Sequence, residues 1–208
     1  MGYLGDFISL GVIALLGAIS PGPDFIVLTQ SSLQHGKKAG IWTALGISIG
    51  CLVHISYCIL GIGVIVAESV LLFSILKYLG AAYLIYLGIK ALFSSSSTLA
   101  TRSIAQNHTP LSAFSAFKKG LLVNLLNPKV TLFILSIFTQ VIDPNTPRPI
   151  QALMGLEFGA ICFAWFSILA TLLTHPLLRQ KLYAIQHIIE KILGGFLILL
   201  GLKVATYH

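Results

Sequence analysis

The chain has 208 residues, of which 56% are hydrophobic and only 9% charged. A soluble domain carries about 25% charged residues, so the composition excludes an ordinary water-soluble protein and points to one compact all-α integral membrane unit. The net charge of +7 does not mark a nucleic-acid binder, because the lysines and arginines are dispersed between apolar runs, as membrane topology requires.

Crossing a bilayer as a helix takes about 20 mostly apolar residues. Six runs qualify: residues 7–30, 40–67, 70–93, 115–142, 150–174 and 186–206. They are continuously apolar and do not alternate, which favours helices over a β-barrel. Residues 1–6 lack the basic region of a secretory signal peptide, so the first helix is expected to be retained.

The first run is interrupted by Ser20-Pro21-Gly22-Pro23-Asp24. Proline lacks an amide hydrogen and its ring clashes with the preceding turn, so this helix breaks. The expectation is that Ser20 caps and Pro21 opens a new half-helix. Asp24 then lies at membrane depth, where a charge is costly and faces a cavity or a partner. Gln34-His35-Gly36-Lys37-Lys38 forms a short connector. The second run is over-long, which permits tilt. Within it, Gly46 and Gly50 have the spacing of close helix contact. His54 reads either as a proton relay or as a hydrogen-bonded core histidine. Cys51, Cys58 and Cys162 all lie in apolar runs without paired spacing, and read as small buried hydrophobes rather than disulfides or metal ligands.

In the third run Tyr83 and Tyr86 either border a cavity or touch lipid and core. The longest link, 94–112, contains four consecutive serines and divides the chain into halves of three helices, 1–93 and 113–208, within a single membrane domain. The fourth run carries a second break, Asn127-Pro128-Lys129. A turn-rich segment from Asp143 to Pro149 follows, and Glu157 in the fifth run is a weaker candidate for a functional acid.

Two further patterns organise these runs. With the N-terminus outside, nine basic residues (Lys37, Lys38, Lys90, Arg102, Lys118, Lys119, Arg179, Lys181 and Lys191) face the cytoplasm against three outside (Lys77, Arg148 and Lys203), with Lys129 inside the membrane. This satisfies the positive-inside rule with both termini outside and 94–112 cytoplasmic. Second, Ala81-Ala82-Tyr83-Leu84-Ile85-Tyr86-Leu87-Gly88-Ile89-Lys90 matches Gly194-Gly195-Phe196-Leu197-Ile198-Leu199-Leu200-Gly201-Leu202-Lys203 in pattern. An odd number of helices per half requires the second copy to be inverted, an architecture of secondary transporters.

The breaks at Ser20–Asp24 and Asn127–Lys129 then face each other near the midplane. Half-helix N-termini carry unpaired amides and a positive dipole, which suit the carboxylate of an amino acid or another organic anion. Ser20, Pro21, Gly22, Pro23, Asp24, Asn127, Pro128 and Lys129 are the expected substrate-binding residues. Asp24 binds the substrate ammonium, carries a coupling proton or neutralises Lys129. Lys129 holds the substrate carboxylate or pairs with Asp24. Asp24 and His54 are the candidates for proton coupling. His35, His108, His175, His187 and His208 form no metal-ligand spacing, so neither metal nor cofactor is expected. No phosphate-binding Gly-Lys-Ser/Thr loop is present, so uphill transport must draw on an ion gradient. A membrane thiol-relay enzyme would need paired thiols. Cys51 and Cys58, seven residues apart, sit about 10 Å apart on a helix, too far for a disulfide. A channel would differ by gradient-limited flux without accumulation.

Several ordered motifs carry a resemblance. They are Ser20-Pro21-Gly22-Pro23-Asp24-Phe25, and Gly36-Lys37-Lys38-Ala39-Gly40-Ile41 leading to Gly46, Gly50 and His54. Further on come Leu79-Gly80-Ala81-Ala82-Tyr83-Leu84 with Gly88, Phe117 and Gly120 with Asn124, Asn127, Pro128 and Lys129, and the terminal Gly194-Gly195 and Leu200-Gly201-Leu202. Together they resemble the lysine exporter (LysE/RhtB) family of bacterial amino-acid efflux permeases. The resemblance implies a six-helix exporter of the bacterial inner membrane, driven by the proton gradient and not an enzyme. The Pro-Gly-Pro-Asp form is similar to the branch exporting homoserine, threonine, leucine and related neutral amino acids. Basic amino acids or another small metabolite are the alternative. The expected partners are an amino-acid substrate, protons and the lipid bilayer, with a homo-oligomer allowed.

Overall fold

A proline forces the residue before it out of the helical region, and this rule sets most of the helix boundaries. The computed structural model describes residues 3–68, 70–93, 111–143 and 146–206, and among these residues all regular structure is helical. Helix α1 (Leu4–Ile19) ends at Ser20, whose backbone is extended. Helix α2 (Pro23–Glu68) starts on a proline. After α3 (Val70–Leu92), the short α4 (Ala113–Leu125) and α5 (Pro128–Val141) are separated by Asn127, extended at φ −86° and ψ 102°. Helix α6 (Arg148–Thr174) is divided from α7 (Pro176–Thr206) by His175 alone.

Two sequence expectations change here. The half-helix after the first break is opened by Pro23, not Pro21, and Ser20 closes α1 rather than capping α2. Gly22 precedes Pro23 and is therefore excluded from the helix; its carbonyl accepts from the Ile26 amide at 3.1 Å. The last run also begins earlier than 186, since α7 is helical from Pro176. The link at 94–110 and residues 144–145 lie outside the described residues.

The connector expected at 34–38 contracts to one residue. Gly36 has φ 83° and ψ 175°, a conformation essentially confined to glycine. Along a straight helix residues 32 and 40 would be about 12 Å apart, yet a β-carbon built on Gly40 would overlap the Ser32 side chain. Thus α2 folds back at Gly36 into two arms, 23–35 and 37–68.

The long arm of α2 is the centre of the packing, flanked by α4 and α6. Against α4 the backbones approach so closely that a β-carbon on Gly46 would meet the Phe117 carbonyl, and one on Gly120 the Thr43 carbonyl. Small residues at helix interfaces permit such contact in membranes. Against α6, the Ser48 hydroxyl donates to the Gly159 carbonyl at 2.6 Å. The two matching segments of α3 and α7 lie antiparallel. A β-carbon on Gly88 would stand 2.6 Å from the Gly194 carbonyl oxygen, and one on Gly201 would stand 2.8 Å from that of Ala81. Exchanging the two copies of the motif turns the first contact into the second.

By length and apolarity, 23–61 and 148–174 are each long enough to span a membrane. The bent pair α4–α5, meeting at 62°, forms a third span if taken together, and shorter apolar helices cover Leu4–Ile19, Tyr78–Leu92 and Gly194–Lys203.

Candidate functional site

Each break is framed by a helix end, and the two are built differently. At the second, Asn127 caps α5: its Oδ1 accepts from the Lys129 amide at 3.1 Å and its carbonyl from the Val130 amide at 3.1 Å. The amides of this terminus are therefore spent. At the first, the amides of Asp24 and Phe25 have no hydrogen-bond partner among the described residues. They point back along the axis of α2 toward the break, as first-turn amides must.

Lys129 crosses from one break to the other. Its Nζ donates to the Ser20 carbonyl at 2.9 Å, the Ser20 hydroxyl at 2.9 Å and the Pro21 carbonyl at 3.0 Å. An ammonium has three hydrogens, so its donor capacity is filled. The cation sits at the C-terminal end of α1, where orphan carbonyls and the helix dipole favour positive charge. Asp24 looks elsewhere. Its Oδ2 accepts from Asn124 Nδ2 at 2.9 Å, while its Oδ1 is buried with no hydrogen-bond partner among the described residues. The two charges hold separate partners in this arrangement.

Behind Asp24 lies a polar chain. Asn124 is fully buried, and its carbonyl accepts from His54 Nε2 at 3.1 Å. A carbonyl only accepts, so Nε2 carries a hydrogen. The other ring nitrogen, Nδ1, meets the Tyr57 hydroxyl, and Thr131 Oγ1 stands 3.4 Å from it. Tyr57 is 43% exposed, so the chain leads from the buried acid to the protein surface.

Ser20, Gly22, Asp24, Asn127 and Lys129 line one cavity together with Cys51, Cys162, Phe133, Ile134, Phe158 and Phe166. Pro21, Pro23 and Pro128 shape the breaks without lining it. The cavity measures about 40 Å³. A water molecule needs roughly 10–15 Å³ on this measure, so the cavity has room for only a few waters. Tyr83 and Tyr86 do not line the cavity; their rings pack 6.0 Å apart on α3. Glu157 faces Gly11 on α1, away from this cluster.

The sequence model of the LysE type translocators matches residues 15–208. The chain belongs to that family. Among its relatives are the uncharacterized membrane protein YrhP of Bacillus subtilis (strain 168), 34% identical over 92% of this chain and 94% of that protein. The leucine efflux protein of Salmonella typhimurium is 33% identical over 80% of this chain and 82% of its own length. No solved structure matches. This LysE type translocator is thus a multi-pass membrane protein and not an enzyme.

Of the residues expected to form its site, the structure brings Ser20, Gly22, Asp24, Asn127 and Lys129 to one cavity and places His54 one layer behind. Sequence reasoning missed Asn124 as a site residue. The available signal was its place one helical turn before Asn127 in an otherwise apolar stretch. The aromatic wall gave no such signal, since Phe133, Phe158 and Phe166 look like any other membrane phenylalanine. Cys51 and Cys162 are free and buried, as expected, but both also line the cavity.

Proposed function

We propose that this translocator exports a small neutral amino acid, of the homoserine, threonine or leucine kind, in exchange for protons across the bacterial inner membrane. The observation that carries the reading is Asp24, which lines the cavity and whose buried Oδ1 has no hydrogen-bond partner among the described residues. Such an oxygen is matched to a substrate ammonium or a proton, each excluding the other. That exclusion is what antiport requires. The substrate carboxylate then meets the free amides of Asp24 and Phe25, and draws on the Lys129 ammonium. The name of the leucine efflux relative supports this class. Asp24 is the one acid among the lining residues, which disfavours basic side chains, whose second positive charge would be left without a partner there.

Six spans in two inverted halves, 1–93 and 113–208, joined by a cytoplasmic 94–112 and with both termini outside, accommodate this mechanism. The exchangeable contacts between α3 and α7 support that arrangement. His54 is the second candidate for proton coupling, joined to Asp24 through Asn124 and in contact with Tyr57. The test is uphill export of radiolabelled leucine from proteoliposomes under an imposed proton gradient. Asp24→Asn is expected to abolish it in a protein that remains monodisperse. Undiminished uphill export by that variant would overturn the coupling role.

A further inference from the structure

We infer that Gly17 and Phe133 act as a pair that sets the size of side chain the site accepts, an inference that rests on the amino-acid export reading above. Phe133 follows Lys129 by four residues on α5, so the two share one helix face. Gly17 precedes Ser20, the partner of the Lys129 ammonium, by three residues on α1, and again the two share a face. Ser20 and Lys129 are therefore one helical turn from this pair on both walls. One turn advances about 5.4 Å, the reach of a single amino-acid side chain from its α-carbon.

Within this spacing the Phe133 ring lies where a side chain on α1 would otherwise be. A β-carbon on Gly17 would overlap the ring. The ring is buried and lines the cavity together with Gly17. Phe158 and Phe166 also line it, but both belong to α6, and no residue on α1 is reduced to glycine to admit them. Gly17 is thus the recess that lets Phe133 lean away from the substrate. Filling the recess drives the ring into the cavity, and shrinking the ring lengthens the pocket.

The experiment measures transport of radiolabelled alanine, leucine and phenylalanine by purified protein in proteoliposomes. Phe133→Leu should raise the phenylalanine-to-leucine rate ratio about tenfold, the order of discrimination that one or two methylenes give in an apolar pocket. Gly17→Ala should lower the leucine-to-alanine ratio while alanine transport persists. The double variant Gly17→Ala/Phe133→Leu, in which the overlap is relieved, should return toward the wild-type ratios. That return is the coupling a double-mutant cycle detects, and it keeps the test decisive if Gly17→Ala alone folds poorly. Unchanged ratios in Phe133→Leu and the double variant, with leucine still moved by the wild type, would overturn the pair and leave the export reading standing. Failure of the wild type to move any of the three would instead overturn the export reading, and the pair with it.

Discussion

Lys129 closes the break at Ser20 by giving all three hydrogens of its ammonium to that segment, at 2.9 to 3.0 Å. The two breaks are thereby joined, α5 to the end of α1, across a chain separation of 109 residues. A substrate carboxylate that reaches this ammonium must compete with carbonyls that already hold it. On the proposed export reading, binding would loosen the break.

The first prediction follows from that joint. Hydrogen bonds to a charged group contribute about 1.5–3 kcal/mol each. Lys129→Met removes all three and leaves two backbone carbonyls near the cavity unpaired. Its cost should exceed the roughly 1.5–3 kcal/mol of Ser20→Ala, which gives up only the hydroxyl's bond to the ammonium. Thermal unfolding in detergent should rank the wild type above Ser20→Ala and both above Lys129→Met. A Lys129→Met protein as stable as the wild type would show that the ammonium is not holding the break.

The hairpin of α2 depends on a backbone conformation, not on packing. A β-carbon on Gly36 would meet nothing within 4 Å, so the only penalty for Gly36→Ala is its φ of 83° with ψ of 175°. Side chains in this region cost of the order of 1–3 kcal/mol. Asparagine tolerates the left-handed helical region but not this one, so Gly36→Asn should be no better than Gly36→Ala. Equal melting temperatures for Gly36→Ala and the wild type would mean that the turn has another conformation available.

How legible this was from sequence varies with the kind of signal. The breaks were visible because proline has one local consequence wherever it stands, and Pro128 does open a helix, with Asn127 as its cap. The first break was displaced by two residues because Ser20-Pro21 and Gly22-Pro23 both look like starts. Only the rule about the residue before proline chooses between them, by removing Gly22 from the helix. Gly17 and Phe133 were illegible as cavity-lining residues for a different reason. Their roles come from which helix each faces across the packed interior, and in a membrane segment apolar periodicity does not distinguish the lipid side from the inside.

Asn124 supports a prediction about pH. Its amide is the donor to Asp24 Oδ2. Asn124→Asp places two carboxyl groups where one carboxylate and one amide stood. Two such groups at hydrogen-bond distance share one proton, and repel once both are ionised. The variant should therefore be most stable at low pH, where the shared proton is present, and lose stability as pH rises and it departs. Asn124→Leu loses the donor but gains no second titrating group, so its deficit, about 1–3 kcal/mol for a buried group left unpaired, should vary less with pH. Melting temperatures of the two variants between pH 5 and pH 8, each referred to the wild type, test this. A flat difference for Asn124→Asp would show that the two side chains do not face each other.

The last prediction concerns the exchangeable contacts between α3 and α7. If Gly88 and Gly201 occupy equivalent places, equivalent substitutions should cost alike. A β-carbon on either comes within 2.6 to 2.8 Å of a backbone carbonyl on the facing helix, Gly194 for one and Ala81 for the other. Backbone cannot turn aside as a side chain does, so the helices must separate. Overpacking of this kind costs about 1–3 kcal/mol. Gly195 is the control: it lies beside Gly194 on α7, and a β-carbon there meets nothing within 4 Å. Without a clash, Gly195→Ala should be neutral or stabilising by up to about 1 kcal/mol through helix propensity. The expected order of melting temperatures places Gly195→Ala at or above the wild type, and Gly88→Ala and Gly201→Ala below it by similar amounts. A large cost at Gly88 with none at Gly201 would break the equivalence of the two copies, and with it the support that this interface lends to an inverted repeat.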